Sequence, residues 1–276
     1  MESLTPKQRE EFEERGYLRV EGAFSKREAR AMEERVWQEL EGKHGALQTD
    51  PSTWDPWNLV GLQELRLDPI FRPIGGDRTQ ACIDALLGPD LWRKPRHWGQ
   101  LLISFPSQEE WNVPTETWHT DFGFWPSTSR LPGLQLFSFI TEVGPRGGGT
   151  AVISGSHLYL RDFVQSQSQK TREKMKTLRK ALMQSDPWLH ALGTPGPANQ
   201  RIPKFMETSQ TSAGVELRVC ELTGSPGDIV LADPWLLHAS TINASSHSRI
   251  MCVQRLRTQT APTDEEPAPS ISSPSL

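Results

Sequence analysis

The chain has 276 residues, of which 36% are hydrophobic and 23% charged, with a formal net charge of −4. That length suits one large domain or two small ones, and the composition is that of a globular protein with a packed core. The slightly acidic balance leaves no footprint for nucleic acid or an anionic membrane surface; no apolar run approaches the roughly 20 residues of a membrane span, and the charged opening residues 1–11 show no apolar signal segment.

The predicted elements begin with helices. Thr5-Pro6-Lys7-Gln8 is a helix start, with a capping threonine, proline in the first turn and glutamine three residues on. The helix should run to Arg15 and stop at Gly16, followed by a short strand Tyr17-Leu18-Arg19-Val20. Ser25-Lys26-Arg27-Glu28 repeats the capping box, and Ala29, Met32, Val36 and Leu40 recur at helical spacing behind it, so a second helix should end near Gly42. Residues 43–77, rich in Trp, Pro, Gly and Asp, are expected to be irregular, and Thr79–Leu87 to be a helix stopped by Gly88.

The period then changes. Gly99–Phe105, Gly133–Val143, Thr150–Ser154, Val215–Leu222, Asp228–Leu237 and Arg249–Leu256 are strand-like, bounded by Gly, Pro or Ser. Residues 158–192 form an amphipathic helical insert, with Met175, Leu178 and Leu182 on one face, and 194–214 form a loop. The pattern predicts a domain over 1–257, with a helical part over about 1–95 and a core over about 96–257, and a disordered tail over 258–276. Helices followed by many strands suggest a β-sandwich or barrel with helices on one side. Cys82, Cys220 and Cys252 are isolated and odd in number, which argues against a disulfide framework and for a reducing, cytoplasmic setting.

The residues that carry chemistry are dispersed. His119 and Asp121, two apart, would share one face of a strand. His238 follows the apolar run Asp228-Ile229-Val230-Leu231, where a strand could deliver it. Two histidines and one carboxylate are the ligand set of the facial triad that holds ferrous iron in oxygen-activating enzymes. Three protein ligands leave up to three positions open, enough for a chelating 2-oxo acid and dioxygen. Arg249 opens an apolar strand, and its guanidinium fork suits the far carboxylate of such a co-substrate. His97, His157, His44, His190 and His247 fit less well, and His157 is expected in a Gly-Ser-His turn. Gly147-Gly148-Gly149 lacks the following Gly-Lys-Ser/Thr of a phosphate loop and reads as a tight connection into a strand.

With these residues in view, the chain resembles the phytanoyl-CoA dioxygenase family of iron(II)- and 2-oxoglutarate-dependent oxygenases over roughly residues 4–256. The resemblance rests on Leu4–Val20, on His119-Thr120-Asp121, on the segment Gly148–His157, and on Gly227-Asp228 through His238-Ala239-Ser240, Asn243 and Arg249, with eleven residues from histidine to arginine. It implies a mainly β fold with flanking helices around a double-stranded β-helix, the jelly-roll, cupin-like core. It also implies iron at His119, Asp121 and His238, with Arg249 on the C5 carboxylate of 2-oxoglutarate. Ser240 would assist that carboxylate, and Thr150 and Gln100 would add contacts. Ser154 stands where the family usually has proline, which affects a turn and not the chemistry. The carboxylate at Asp121 separates the chain from related halogenases, which replace it to admit chloride, and so implies hydroxylation or another oxidation with O2.

The aromatics Trp118, Phe122, Phe124, Trp125, Phe137 and Trp235 flank the proposed ligands and would either pack the core or line a pocket for a small-molecule substrate. Two other readings stay open at this point: a metal-dependent cupin acting as an isomerase or hydrolase, and a non-catalytic binding module. Arg249 and Ser240 speak against the first, and the intact triad against the second. The C-terminal Pro-Ser-Leu is not the peroxisomal Ser-Lys-Leu signal.

Overall fold

A computed structural model describes residues 4–55, 59, 61–122, 131–168 and 175–259. Both predicted capping boxes form. Thr5 and Gln8 open α1 (Pro6–Arg15), which Gly16 closes at φ +79°, and Ser25 and Glu28 open α2 (Lys26–His44). α2 runs past Gly42 and ends where Gly45 turns left-handed, because Gly42 lies on an open face and imposes no turn. The expected irregular stretch contains three short 3₁₀ turns, Pro51–Thr53, Leu62–Leu67 and Pro69–Gly75, before α3 (Asp77–Leu87).

The strands form two antiparallel sheets. In the larger, the order is β1 (Tyr17–Val20), β7 (Ile229–Ala232), β3 (Gly133–Phe139), β9 (Arg249–Arg257), β2 (Gln100–Ser104). In the smaller, it is β5 (Ser209–Gln210), β6 (Glu216–Glu221), β4 (Ala151–Ser154), β8 (His238–Ala239). The first strand, β1, joins the sheet by pairing with β7, so the amino-terminal part is woven into the core. The architecture is that of a cupin-type double-stranded β-helix with flanking helices.

Side-chain alternation along the strands builds three apolar layers. Phe137, Phe139, Val230, Ala232 and Met251 of the larger sheet meet Val152 and Leu222 of the smaller one between the sheets. The opposite face of the larger sheet, with Leu134, Leu136, Leu231, Ile250 and Leu256, packs under α1–α3. The opposite face of the smaller sheet, with Ala151, Ile153, Leu217 and Val219, packs under α4 (Ser156–Ser166), α5 (Met175–Gln184), α6 (Pro187–Leu192) and α7 (Ala198–Met206). Helices therefore cover both faces, where the sequence suggested one. Both sheets are apolar on both sides, which demands cover on both.

Two further expectations change. The segment 194–214 holds α7 and β5, because Ala198 and Phe205 give it a buried face despite Pro203. The strand expected over Asp228–Leu237 ends at Ala232. Asp233 accepts the Trp235 N–H at 2.9 Å and turns the chain there, so His238 arrives on β8 in the other sheet. The tail from residue 260 onward lies outside the described residues.

Candidate active site

Backbone pairing brings the two histidines together. His119 and His238 exchange hydrogen bonds, each N–H to the other's C=O at 3.0 Å, as a bridge at the edge of the smaller sheet. Asp121 lies two residues on, in a bend. One ligand atom from each of His119, Asp121 and His238 falls within 4.8 Å of the others, and the three are the one such group among the described residues. Each histidine Nε2 is 3.7 Å from a different oxygen of Asp121.

The tautomers are fixed from behind. His119 Nδ1 donates to the Thr117 carbonyl at 2.6 Å, and His238 Nδ1 donates to the Leu236 carbonyl at 3.1 Å. With the proton held at Nδ1, each Nε2 keeps its lone pair facing Asp121, the arrangement a metal requires. Thr117 takes φ +63° to present that carbonyl, an uncommon conformation for a β-branched residue and of the kind that accumulates at functional sites. Burial, and then the neighbouring His238, push the His119 pKa down, which favours the neutral ring. Burial opposes ionisation of Asp121, but His238, when its ring is protonated, and Arg255 outweigh it and hold the carboxyl well below its usual range.

Arg249 lies at the far end of the same strand face. Alternation along β9 puts Arg249, Met251, Val253 and Arg255 in one row, and Met251 is part of the inter-sheet layer. Arg249 Nε is buried without a hydrogen-bond partner, and its Nη1 meets the Met251 sulfur at 3.8 Å. Burial pushes its pKa down to about 10, opposed by the charge of Glu221. A buried guanidinium with a free donor is a costly feature unless a ligand completes it. It is therefore the observation that most directly implies an anionic partner.

A family model described as phytanoyl-CoA dioxygenase (PhyH) matches residues 12–251. The chain belongs to the phytanoyl-CoA dioxygenase family. As a member, it is a 2-oxoglutarate-dependent oxygenase. Its fold is similar to AviO1 from Streptomyces viridochromogenes Tue57, at 18% identity and TM-score 0.54, over 95% of this chain and 97% of that one. It is also similar to EctD from S. alaskensis with 2-oxoglutarate and 5-hydroxyectoine, at 19% identity and TM-score 0.52, over 94% and 77%. A third likeness is to the epimerase SnoN in complex with Fe3+, alpha ketoglutarate and nogalamycin RO, at 17% identity and TM-score 0.52, over 91% and 82%. No curated protein matches the chain.

The remaining family positions fall as follows. Thr150 is buried and lies in phase with Val152, on the inter-sheet side. Gln100 pairs with Val253, in phase with Leu102, and so shares the face that carries Arg249. Ser240, just past β8, is exposed. Phe137 sets its ring edge toward His238, with centroids 6.1 Å apart. Trp118, Phe122 and Trp235 belong to the layer beyond the smaller sheet, and the Arg161 guanidinium covers the Trp235 ring at 5.3 Å. Phe124 and Trp125 lie outside the described residues. His157 sits in the first turn of α4, where its Nε2 donates to the Glu13 carbonyl at 3.0 Å, and takes no part in the triad.

Three site residues escaped the sequence reading: Gln135, Arg255 and Glu221. Gln135 and Arg255 are a directly opposed pair on β3 and β9, and both reach Asp121. Glu221 accepts the Arg146 and Gly149 N–H groups and pins the glycine connection into β4. The available signal was phase. Gln135 shares the phase of Phe137 and Phe139 in its strand and is the long polar side chain of that row, and Arg255 repeats the phase of Arg249.

Proposed function

We propose that His119, Asp121 and His238 hold the iron of this oxygenase and that Arg249 receives the C5 carboxylate of 2-oxoglutarate. The substrate is a small or medium-sized organic molecule of lipid-like, acyl or natural-product type, which is hydroxylated or otherwise oxidised. The observation that carries this reading is the convergence of two Nε2 lone pairs and one carboxylate within 4.8 Å. Two imidazoles and a carboxylate suit ferrous iron, and three ligands leave room for exchangeable ones. When bound, iron and 2-oxoglutarate let dioxygen oxidise the substrate while 2-oxoglutarate becomes succinate and carbon dioxide.

The chain's own residues orient and exclude. Thr117 and Leu236 hold the imidazole protons away from the metal side. Arg249 offers its unpaired Nε to an anion lying along the Met251–Val253 row, which is apolar and so strengthens the charge contact. Phe137 closes the inter-sheet side against His238. The small molecules named with SnoN and EctD support a substrate of that size. Among the described residues no helix is long and apolar enough to cross a membrane, and all three cysteines are free, which supports a cytoplasmic setting.

The test is succinate formation by anaerobically iron-loaded protein given 2-oxoglutarate and oxygen, with His238→Ala beside wild type. Iron-dependent succinate that disappears in the variant is expected. Succinate at the wild-type rate in the variant would remove His238 from the ligand set.

A further inference from the structure

The three proposed ligands are not held in the same way. His119 and His238 are fixed by mutual backbone bonds. Asp121 lies beyond that bridge, and no strand pairing extends to it. Its carboxylate is held by side chains instead. Arg255 Nη2 donates to Oδ1 at 2.8 Å, and Gln135 Nε2 donates to Oδ2 at 2.5 Å. Gln135 Nε2 also lies 3.4 Å from His238 Nε2. The two donors come from directly opposed positions on β3 and β9, Gln135 against Arg255, so the central strands of the larger sheet set their spacing. Gln135 is buried, and Asp121 is 11% exposed at its side chain.

We propose that Gln135 and Arg255 are positioning residues that latch Asp121, one donor to each oxygen, in the orientation that meets the two histidines. With a donor on each oxygen, the carboxylate is turned so that its remaining lone pairs face the Nε2 atoms. The larger sheet thereby supplies the geometry of the one ligand that the smaller sheet's bridge does not fix. This rests on the reading of Asp121 as a metal ligand. Partners of metal ligands are worth roughly 10–100-fold in metal affinity where they orient the ligand. A cation that only neutralised Asp121 would do the opposite, since removing it would tighten metal binding.

The test is titration of the metal-free full chain with Co2+, followed by its visible absorption, for wild type, Arg255→Met, Gln135→Met, Arg255→Lys and Asp121→Ala. Methionine preserves bulk and removes the donors, and the thermal melt of each metal-free variant shows that it is folded. The expected result is about tenfold or greater weakening in both methionine variants, with Arg255→Lys between Arg255→Met and wild type. Unchanged or tighter Co2+ binding in the folded methionine variants would overturn the latch. Wild-type Co2+ binding by Asp121→Ala would overturn instead the ligand assignment beneath it.

Discussion

His119 and His238 lie with ring centroids 4.3 Å apart because their backbones exchange both hydrogen bonds, each at 3.0 Å. The metal-facing geometry is thus a property of the main chain. Replacing a ring removes a donor atom without removing the bridge. His238→Ala should therefore remain folded, with a stability loss inside the ~0.5–3 kcal/mol range of ordinary substitutions, yet lose Fe(II) in anaerobic equilibrium dialysis. Retention of iron at wild-type affinity would contradict the role assigned to His238.

Arg249 separates stability from binding. Its buried, unpartnered Nε is a burden to the ligand-free chain and an asset to the complex. Arg249→Met should weaken 2-oxoglutarate binding by about 2–5 kcal/mol, the usual cost of truncating one half of a buried charge pair. The same variant should melt no lower than wild type without ligand, because a buried donor without a partner is removed and the bulk kept. Calorimetric titration and a thermal melt check the two halves. Unchanged 2-oxoglutarate affinity would remove Arg249 from the co-substrate site.

Much of this arrangement is legible in the sequence, and the failures have physical causes. The capping boxes at Thr5 and Ser25 are local, and both form as written. The triad residues stand out because His119 and Asp121 lie two apart and His238 follows an apolar run. What stays hidden is long-range pairing. Asp233-Pro234 does mark a break in the apolar run before His238, but a local breaker does not disclose that the chain crosses to the other sheet there. The opposition of Gln135 and Arg255 depends on register between strands more than a hundred residues apart, and register is set by the whole sheet. The Trp235 environment likewise depends on α4, which delivers Arg161 over its ring.

Asn243, part of the sequence pattern, has a structural role that the pattern does not disclose. It is buried, its Nδ2 donates to the Ser104 carbonyl at 3.3 Å and the His247 carbonyl at 2.7 Å, and its Oδ1 accepts the Ser245 N–H at 3.1 Å. Ser104 pairs with Arg249 across β2 and β9, so these bonds converge on the strand start that carries the arginine. Asn243→Ala should destabilise the protein by about 1–3 kcal/mol through buried groups left unpaired. It should also weaken 2-oxoglutarate binding more than Co2+ binding, since its links lead to Arg249 and not to the triad. Denaturant unfolding and the two titrations check this. Equal losses for both ligands would contradict the local role.

His157 ties α4 to α1 and should make that contact pH-dependent. Its Nε2 donates to the Glu13 carbonyl at 3.0 Å, while Nδ1 is buried without a partner. Gly16, at φ +79°, makes the room: a Cβ there would come within 2.5 Å of His157 Nδ1. Burial lowers the pKa of the ring from its usual 6.5, only partly offset by Asp233 and the Glu13 carbonyl. Above 6.5 the ring is neutral in both the folded and unfolded chains, and its contribution to stability is complete. As pH falls below 6.5 the unfolded chain takes up the proton first, so the folded state loses stability until its own depressed pKa is passed. His157→Gln keeps a donor for the Glu13 carbonyl and removes the titration. Its melting temperature should therefore fall less than that of wild type between about pH 7.5 and about pH 5.5. Identical pH dependence in the two proteins would mean that the ring is not held neutral by the fold.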